Sequence, residues 1–459
     1  MNSSLHYPCS QAEFIIEFVN KALNNNVKSY DSSSGAVRQY GTSYEDLGDY
    51  LPALLFYGKQ EIVDREVNNT INELRRSEFV FTKEQPGIKG CLARAYDQSD
   101  LIWGLQLAAR HDRSLNEVVN QALDEFWNSF WAEGGTMMRL SRVPYLNLRV
   151  PKQIQPTLKV LSAEDHGMFI ELYAHQYMAS GEIRHLERAL EIYKTFVRTQ
   201  LFIDRNTFPF YTTTDKVAQF AINKLRGFNK RSTQFQLLKQ NSNTLWGIFK
   251  LNEAKPEDQS ISKLIQETLD KWLHLYLIRD TGVFCTNYEF SSGRKGADLT
   301  CFHMIELLVE SARRFGRTDH LDQASIIADS FIKYQSSTTG LVPFLHPSIP
   351  HEIPRFGIKG GLSWLDSTVD FAIAILKLGL LSGDSERVAQ FDKILDGVTR
   401  HHRQPYGYAS SVSVSDGALD NPVYSTKMTA LVLKLFIAKA DMSNIFNTES
   451  DTHFALLDR

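Results

Sequence analysis

Asp366 and Asp370 stand one helical turn apart at the head of a run that is apolar nearly all round, Lys359–Lys377 (KGGLSWLDSTVDFAIAILK). Paired glycines end the preceding loop and Ser363 is placed to cap. A helix without a polar face is normally buried on all sides, and carboxylates are stabilised in its first turn by the positive end of the dipole. The arrangement recurs. Asp46 with Asp49, Asp97 with Asp100, Glu164-Asp165-His166, Asn243 and Asp298 each follow a loop and open an apolar segment. Two carboxyl groups facing each other across a cleft can act as acid and as base or nucleophile, which is what cleavage of a glycosidic bond needs. An aspartate at a helix start is also the ordinary N-cap. Capping does not require a second acid one turn further in, as at Asp100 and Asp370, although such a residue can instead pair with a loop arginine.

These residues are positioned by helices of two alternating kinds. Apolar runs are expected at Tyr44–Tyr57, Asp97–Ala109, Ala163–Ala179, Asn243–Leu251, Ala297–Phe315, Ser363–Leu381 and Tyr424–Ala438. Amphipathic helices with one apolar stripe are expected at Gln11–Leu23, Glu61–Arg76, Leu115–Trp131, Ile183–Thr199, Ser260–Tyr276, Leu321–Tyr334 and Ser385–His401. Tight turns such as Gly58-Lys59, Gly181-Glu182 and Gly316-Arg317 separate an apolar helix from the amphipathic one after it. A repeat of one helical hairpin signals a repeat architecture. Irregular long loops on one side and tight turns on the other suit a closed ring, apolar helices inside and amphipathic ones outside. No sustained strand alternation is evident, and Thr207–Thr212 and Gly282–Tyr288 read as small extended pieces in loops.

The layout resembles the α/α-toroid enzymes, the six- and seven-hairpin glycosidase-like superfamily, over nearly the whole chain. Tyr96–Leu105 (YDQSDLIWGL) and Ser363–Phe371 (SWLDSTVDF) are similar to the Asp-bearing inner-helix starts of unsaturated glucuronyl hydrolases. The resemblance implies an all-α (α/α)7 or (α/α)6 toroid, with seven hairpins favoured because seven inner starts are counted. It implies a single catalytic domain over residues 1–459 and chemistry on saccharides by hydrolysis, elimination or epimerisation. Lanthionine cyclases share the fold, but their Cys and Cys-His zinc ligands have no counterpart here.

Composition narrows the classes. With 43% hydrophobic and 22% charged residues the chain reads as globular. A net charge of -3 gives no general signal for nucleic acid, and no apolar run is long enough to span a membrane. Met1–Gln11 lacks the pattern of a secretory signal. The four cysteines are scattered without a C-x-x-C, so reduced thiols in a cytoplasm are expected, with no metal and no cofactor assigned.

The loops on the expected mouth face are basic. Gly134–Ala163 and Lys216–Asn252 contain no Asp or Glu, but carry Arg139, Arg142, Arg149, Lys152 and Lys159 in the first and Lys216, Lys224, Arg226, Lys230, Arg231, Lys239 and Lys250 in the second. Arg294, Lys295, Arg355 and Lys359 lie in further loops of this class. Such a face concentrates anions, which points to a uronate-containing, sulfated or phosphorylated saccharide. Aromatic residues interleave with the charges, among them Tyr211, Tyr288, Trp364, Tyr406 and Tyr408, and can stack on sugar faces or anchor loops. The substrate-binding set is therefore His166, Arg142, Tyr211, Tyr288, Arg355, Trp364 and Tyr408. The catalytic set is Asp97, Asp165, Asp298 and Asp366. Asp366, walled by Trp364 and Leu365 and followed by Asp370, is read as the acid, and Asp97 as its ionised partner. Two other readings stay open. One is an epimerase or lyase using His166, His303, His346, His351 or a tyrosine as acid and base. The other is a non-catalytic protein that holds a polymer.

Overall fold

The computed structural model describes residues 9–40, 46–79, 83–84, 91–132, 136–137, 140–142, 163–197, 200–208, 234–290, 292–349 and 359–446. Among them are fourteen helices of ten residues or more: α1 Cys9–Asn24, α2 Leu47–Phe56, α3 Gln60–Arg76, α4 Ala95–His111, α5 Asn116–Phe130, α6 Ala163–Ser180, α7 Ile183–Val197, α8 Asn243–Ala254, α9 Gln259–Tyr276, α10 Phe302–Phe315, α11 Thr318–Ile332, α12 Leu365–Ser382, α13 Ser385–Gly397 and α14 Thr426–Ala440. The apolar class forms the inner ring. Helix α2 packs on α4, α4 on α6, α6 on α8, α10 on α12, α12 on α14 and α14 back on α2. Helices α8 and α10 meet through Phe249 and Phe315, stacked at 5.9 Å, and through Arg314 and Glu253 at 3.2 Å. Helices α3, α5, α7, α9, α11 and α13 lie outside, each against the inner helix that precedes it, and α1 packs on α14. The described residues therefore make seven hairpins, the seventh assembled from the two ends of the chain.

The apolar and amphipathic patterns account for this sorting. Helix α12 buries residues all round, from Leu365 to Gly379, whereas its hairpin partner α13 buries only Arg387, Gln390, Phe391, Ile394, Leu395 and Gly397. Helices α6 and α8 make the closest crossing. A Cβ on Gly247 would lie 2.2 Å from the Gly167 carbonyl oxygen, so only glycines let these backbones meet. No described helix is long and apolar enough to cross a membrane.

Strands are where the structure departs from the sequence reading. They include β1 Val27–Asp31, β2 Val37–Gln39, β3 Gln234–Gln236, β4 Asn287–Glu289, β5 Lys295–Gly296, β6 Leu362–Trp364, β7 Gly407–Ser413 and β8 Leu419–Ser425. An antiparallel sheet runs β6-β7-β8-β1-β2, and a smaller one runs β5-β4-β3. Strand β7 is buried on both faces and rich in serine, so it shows no period of two. Helix α12 consequently begins at Leu365 rather than Ser363, and α14 at Thr426 rather than Tyr424. Helix α10 begins at Phe302, because Asp298 first caps a 3-10 turn at Leu299–Cys301. Ser363 is a strand residue, and α12 has no side-chain cap.

A fully buried relay ties the sheet to α12. Ala409 can offer only its carbonyl, so His402 Nδ1 donates to it at 2.9 Å. Nε2 then accepts from Ser363 Oγ at 3.1 Å, and Ser363 Oγ accepts from Thr368 Oγ1 at 2.9 Å. Burial penalises the imidazolium and lowers the His402 pKa to about 4. The unfolded chain takes up this proton near pH 6.5 and the folded protein does not, so the contribution is full above pH 6.5 and is lost as pH falls towards 4. The loss amounts to about 3 kcal/mol from this residue. Urea midpoints followed from pH 7 to pH 4 should drop for the parent, and His402→Gln should lack its share of that drop.

Candidate active site

The inner-helix N-termini share the face that carries the sheet. Helix α12 places Asp366 in its first turn, half-buried, where Oδ1 accepts from the Ser367 backbone N–H at 2.6 Å. Asp370, one turn inward, is buried. In α6, Asp165 and His166 are buried in the first turn. In α2, Asp49 is buried and pairs with Lys427 of α14 at 2.7 Å, and Asp46 just before it pairs with Lys28 of β1 at 3.5 Å.

Asp298 differs from these. It is fully buried, its Oδ1 accepts from the Thr300 N–H at 3.2 Å and from the Thr300 hydroxyl, and its Oδ2 accepts from Asn287 Nδ2 at 3.1 Å. Its carboxylate is engaged as the cap before α10. Asp97 lies in the first turn of α4, and its side chain is outside the described residues, whereas Asp100 is half-buried there.

Of the expected binding residues, Trp364 ends β6 beside α12. Its ring lies 6.1 Å from Phe344, and its buried Nε1 has no hydrogen-bond partner among the described residues. Tyr408 on β7 is fully buried with its hydroxyl likewise unpartnered, and burial raises its pKa to about 12. Tyr288 on β4 packs between Tyr276 at 5.8 Å and Phe290 at 5.7 Å. Arg142 ends a short strand, Leu140–Arg142, opposite Ala93 and so beside the start of α4, and its side chain is outside the described residues. Tyr211, Arg355 and His351 lie outside them altogether, as do most of Gly134–Ala163 and residues 216–233 of the second acid-free stretch. Lys250, counted among the basic loop residues, is instead fully buried inside α8. Arg294 is tied to Glu289 at 2.6 Å. His346 is held by the Ser330 carbonyl at 3.0 Å and the Ser348 N–H at 3.2 Å, which suits it to bracing the loop.

The sequence reading missed a second set. Glu171, Lys250, Glu306, Lys377 and Lys434 are lone charges midway along five apolar inner helices, and all are buried. Lys377 of α12 meets Glu306 of α10 at 3.1 Å. One turn from Glu306 towards the mouth stands His303, also buried. Towards the other end, Arg313 donates to Glu310 at 2.7 and 2.8 Å and Arg314 bridges Glu310 to Glu253. Burial opposes ionising Glu310, but the hydrogen bonds from Arg313 and the charge of Arg314 outweigh it and hold the carboxyl at about 2. Between α4 and α6, Arg110 meets His175, whose ring stands edge-on to Trp103 at 4.9 Å. The signal for this set was present: a single Lys or Glu inside an otherwise apolar run.

A group with metal-ligand spacing, Asp270, Asp319 and His320, lies on the outer helices α9 and α11. Arg317 donates to Asp270 at 2.7 Å and to Asp319 at 2.7 and 2.8 Å, so a guanidinium already occupies the position between the carboxylates.

No family model and no curated relative matches the sequence. The structure is similar to solved ones over most of its length. An alpha-1,2-mannosidase from Trichoderma reesei superposes with a TM-score of 0.64 at 10% identity, covering 93% of each chain. A cellobiose 2-epimerase from Bacillus thermoamylovorans B4167 gives 0.54 at 11% identity, covering 92% of this chain and 99% of that one. The unsaturated glucuronyl hydrolase of Bacillus sp. GL1, described as responsible for degrading glycosaminoglycan, gives 0.50 at 12% identity over 86% of this chain and 96% of that one. At such identities the likeness shows the fold alone, an α/α toroid.

The buried pair between α10 and α12 has a measurable signature. Lys377→Met leaves Glu306 buried without its ammonium and should cost about 3–5 kcal/mol. Adding Glu306→Leu should recover much of that loss. A double-mutant cycle of urea midpoints checks it, and independent, additive losses would mean that the two residues do not stabilise each other.

Proposed function

We propose that the chain is a carbohydrate-active enzyme, a glycoside hydrolase that cleaves an acidic saccharide at the mouth of the ring, with residues 1–459 acting as one catalytic domain. One observation carries the reading. In a ring of seven inner helices, α4 and α6 each stand three places from α12, in opposite directions. The carboxylates of α12 therefore look across the ring to the helix starts that bear Asp97 and Asp165. A glycosidic bond held between two carboxyl groups needs this opposition, and two acids on one helix would not give it. Asp366, backed by Asp370, is assigned as the acid, and Asp97 as its partner with Asp165 as the alternative. Asp298 serves as a cap. The unpartnered donors Trp364 Nε1 and Tyr408 OH support a polar ligand beside α12, since buried donors without acceptors are disfavoured. The activities named for the similar structures agree with saccharide chemistry. A cytoplasmic location is part of the proposal, on the scattered cysteines.

A second reading rests on His166 and His303, both buried in the first turns of inner helices. It is an epimerase or lyase in which a histidine moves the proton at a sugar carbon, and a cellobiose 2-epimerase is among the similar structures.

Asp366→Asn separates these readings. Under the hydrolase reading it slows cleavage of natural glycosides at least about a hundredfold and spares aryl glycosides whose leaving group needs no proton. Near-parent rates on both would reduce Asp366 to a structural role. Loss on replacing His303 or His166, with Asp366→Asn unaffected, would favour the epimerase. The acidic substrate is tested by salt. Uronate oligosaccharides should bind more tightly than neutral ones of equal length, and the margin should shrink as salt shortens the screening length below about 8 Å.

A further inference from the structure

The seam where the ring closes carries a feature that the mouth chemistry does not use. Tyr406 sits at the tip of a tight hairpin in which Gln404 pairs with Gly407. Gly407 adopts a φ of 121°, and the Phe18 ring lies 3.0 Å from where its Cβ would be, so this turn requires glycine. The tyrosine is 56% exposed, yet it is not loose. Tyr30 meets it edge-on at 6.0 Å and Tyr424 at 6.1 Å, and these two are themselves a cross-strand pair between β1 and β8. Two residues before Tyr30 comes Lys28, which lies over the Tyr40 ring at 5.6 Å and reaches Asp46 at 3.5 Å. Asp46 leads into α2, where Asp49 meets Lys427 at the start of α14. An aromatic and polar path therefore runs from an outer hairpin to the inner-helix starts at the seam.

We propose that this path is a binding track for the distal residues of a saccharide chain whose reacting end lies in the mouth, so that the substrate is an oligomer or polymer. Tyr406 is the outer stacking platform. Lys28 and Lys427, partly exposed beside the buried Asp46 and Asp49, offer donors to hydroxyls nearer the ring. An exposed ring already fixed by two edge contacts loses little freedom when a sugar face covers it. The four charges at the seam cancel, so they neither attract nor repel an acidic chain. This cancellation also makes the track's contribution insensitive to salt, unlike the acid preference above.

The inference rests on the saccharide reading, and the experiment keeps the two apart. Disaccharides and hexasaccharides of oligogalacturonate and of cello-oligosaccharide are titrated calorimetrically into the parent, Tyr406→Ala and Tyr406→Trp at low and high salt. The parent should prefer hexasaccharide to disaccharide, and Tyr406→Ala should lower that ratio by about tenfold at either salt. Tyr406→Trp should retain it. Melting temperatures equal to the parent's confirm that the variants fold, as expected for an exposed tip. A parent that binds disaccharide with no gain for hexasaccharide, or an unchanged ratio in Tyr406→Ala, overturns the track alone. Binding of neither length by the parent overturns the saccharide reading and the track with it.

Discussion

The ring depends on one junction, the packing of the first helix of the chain on the last inner one. Each inner helix is apolar all round and needs a neighbour on either side and a cover outside. An open row of hairpins would leave α2 bare on one edge and α14 bare on the other. Helix α14 meets both needs by packing on α2 and accepting α1 as its outer cover. Bringing the ends of so long a chain together carries an entropic cost that rises only slowly with length, whereas the apolar surface hidden grows with every residue. The sheet fastens the same junction. Strand β1 pairs with β8, Thr426 Oγ1 donates to the Val27 carbonyl at 2.7 Å, and Ser32 Oγ donates to that of Pro422 at 3.3 Å.

Closure creates the second constraint. Lone charges on the inner helices have no route to bulk water along a side chain, and those with a resolved partner are met by charged groups, Lys250 by Glu253 of its own helix and Glu306 by a neighbouring one. Glu306 and Lys377 join α10 to α12, and Arg314 and Glu253 join α10 to α8. Removing one partner strands a buried charge, which is far more costly than replacing both by apolar groups. The helices are also electrically graded. Arg110, Arg313, Arg314 and Lys439 stand in last turns and Asp49 and Asp366 in first turns, each sign where the dipole favours it. The ion-paired basic last turns therefore lie at the end of the ring opposite the helix starts that carry Asp49 and Asp366.

How far this could be read from the sequence differs by element. The helix classes and their places in the ring were legible, because apolar and amphipathic runs alternate among the described helices of ten residues or more from Leu47 to Ala440. The sheet was not. Strand β7 is buried on both faces, β8 contains Pro422, and β1 pairs with a strand almost four hundred residues away, so local pattern carries no trace of it. Ser363 looked like a cap because it precedes an apolar run, but its hydroxyl is committed to His402 and Thr368. At the site, the aspartates of helix starts were legible as a set but not as individuals. Full burial and the hydrogen bonds from Thr300 and Asn287, neither readable from sequence, separate Asp298, a cap, from Asp366. Lys250 shows the opposite error. It was counted with surface charge because its stretch lacks acids, although the apolar residues on both sides of it marked it as buried.

The choice of acid turns on a conflict between two of these constraints. The first turn of a helix favours an ionised carboxylate, since the dipole and free N–H groups face it. A general acid needs the reverse, which comes from an apolar wall or from a neighbouring carboxylate. Both residues of α12 therefore matter together. Asp366 lies at the helix end and is half-buried, so solvent reaches it. Asp370 lies one turn inward and buried, where a second negative charge is hardest to accommodate. Under the proposed hydrolase reading, Asp370→Asn should slow cleavage by removing the buried neighbour of Asp366, and Asp366→Asn should slow it further, which rates on natural glycosides check. A single aspartate in the first turn would satisfy the dipole, so the buried Asp370 is the part of α12 that the dipole does not account for.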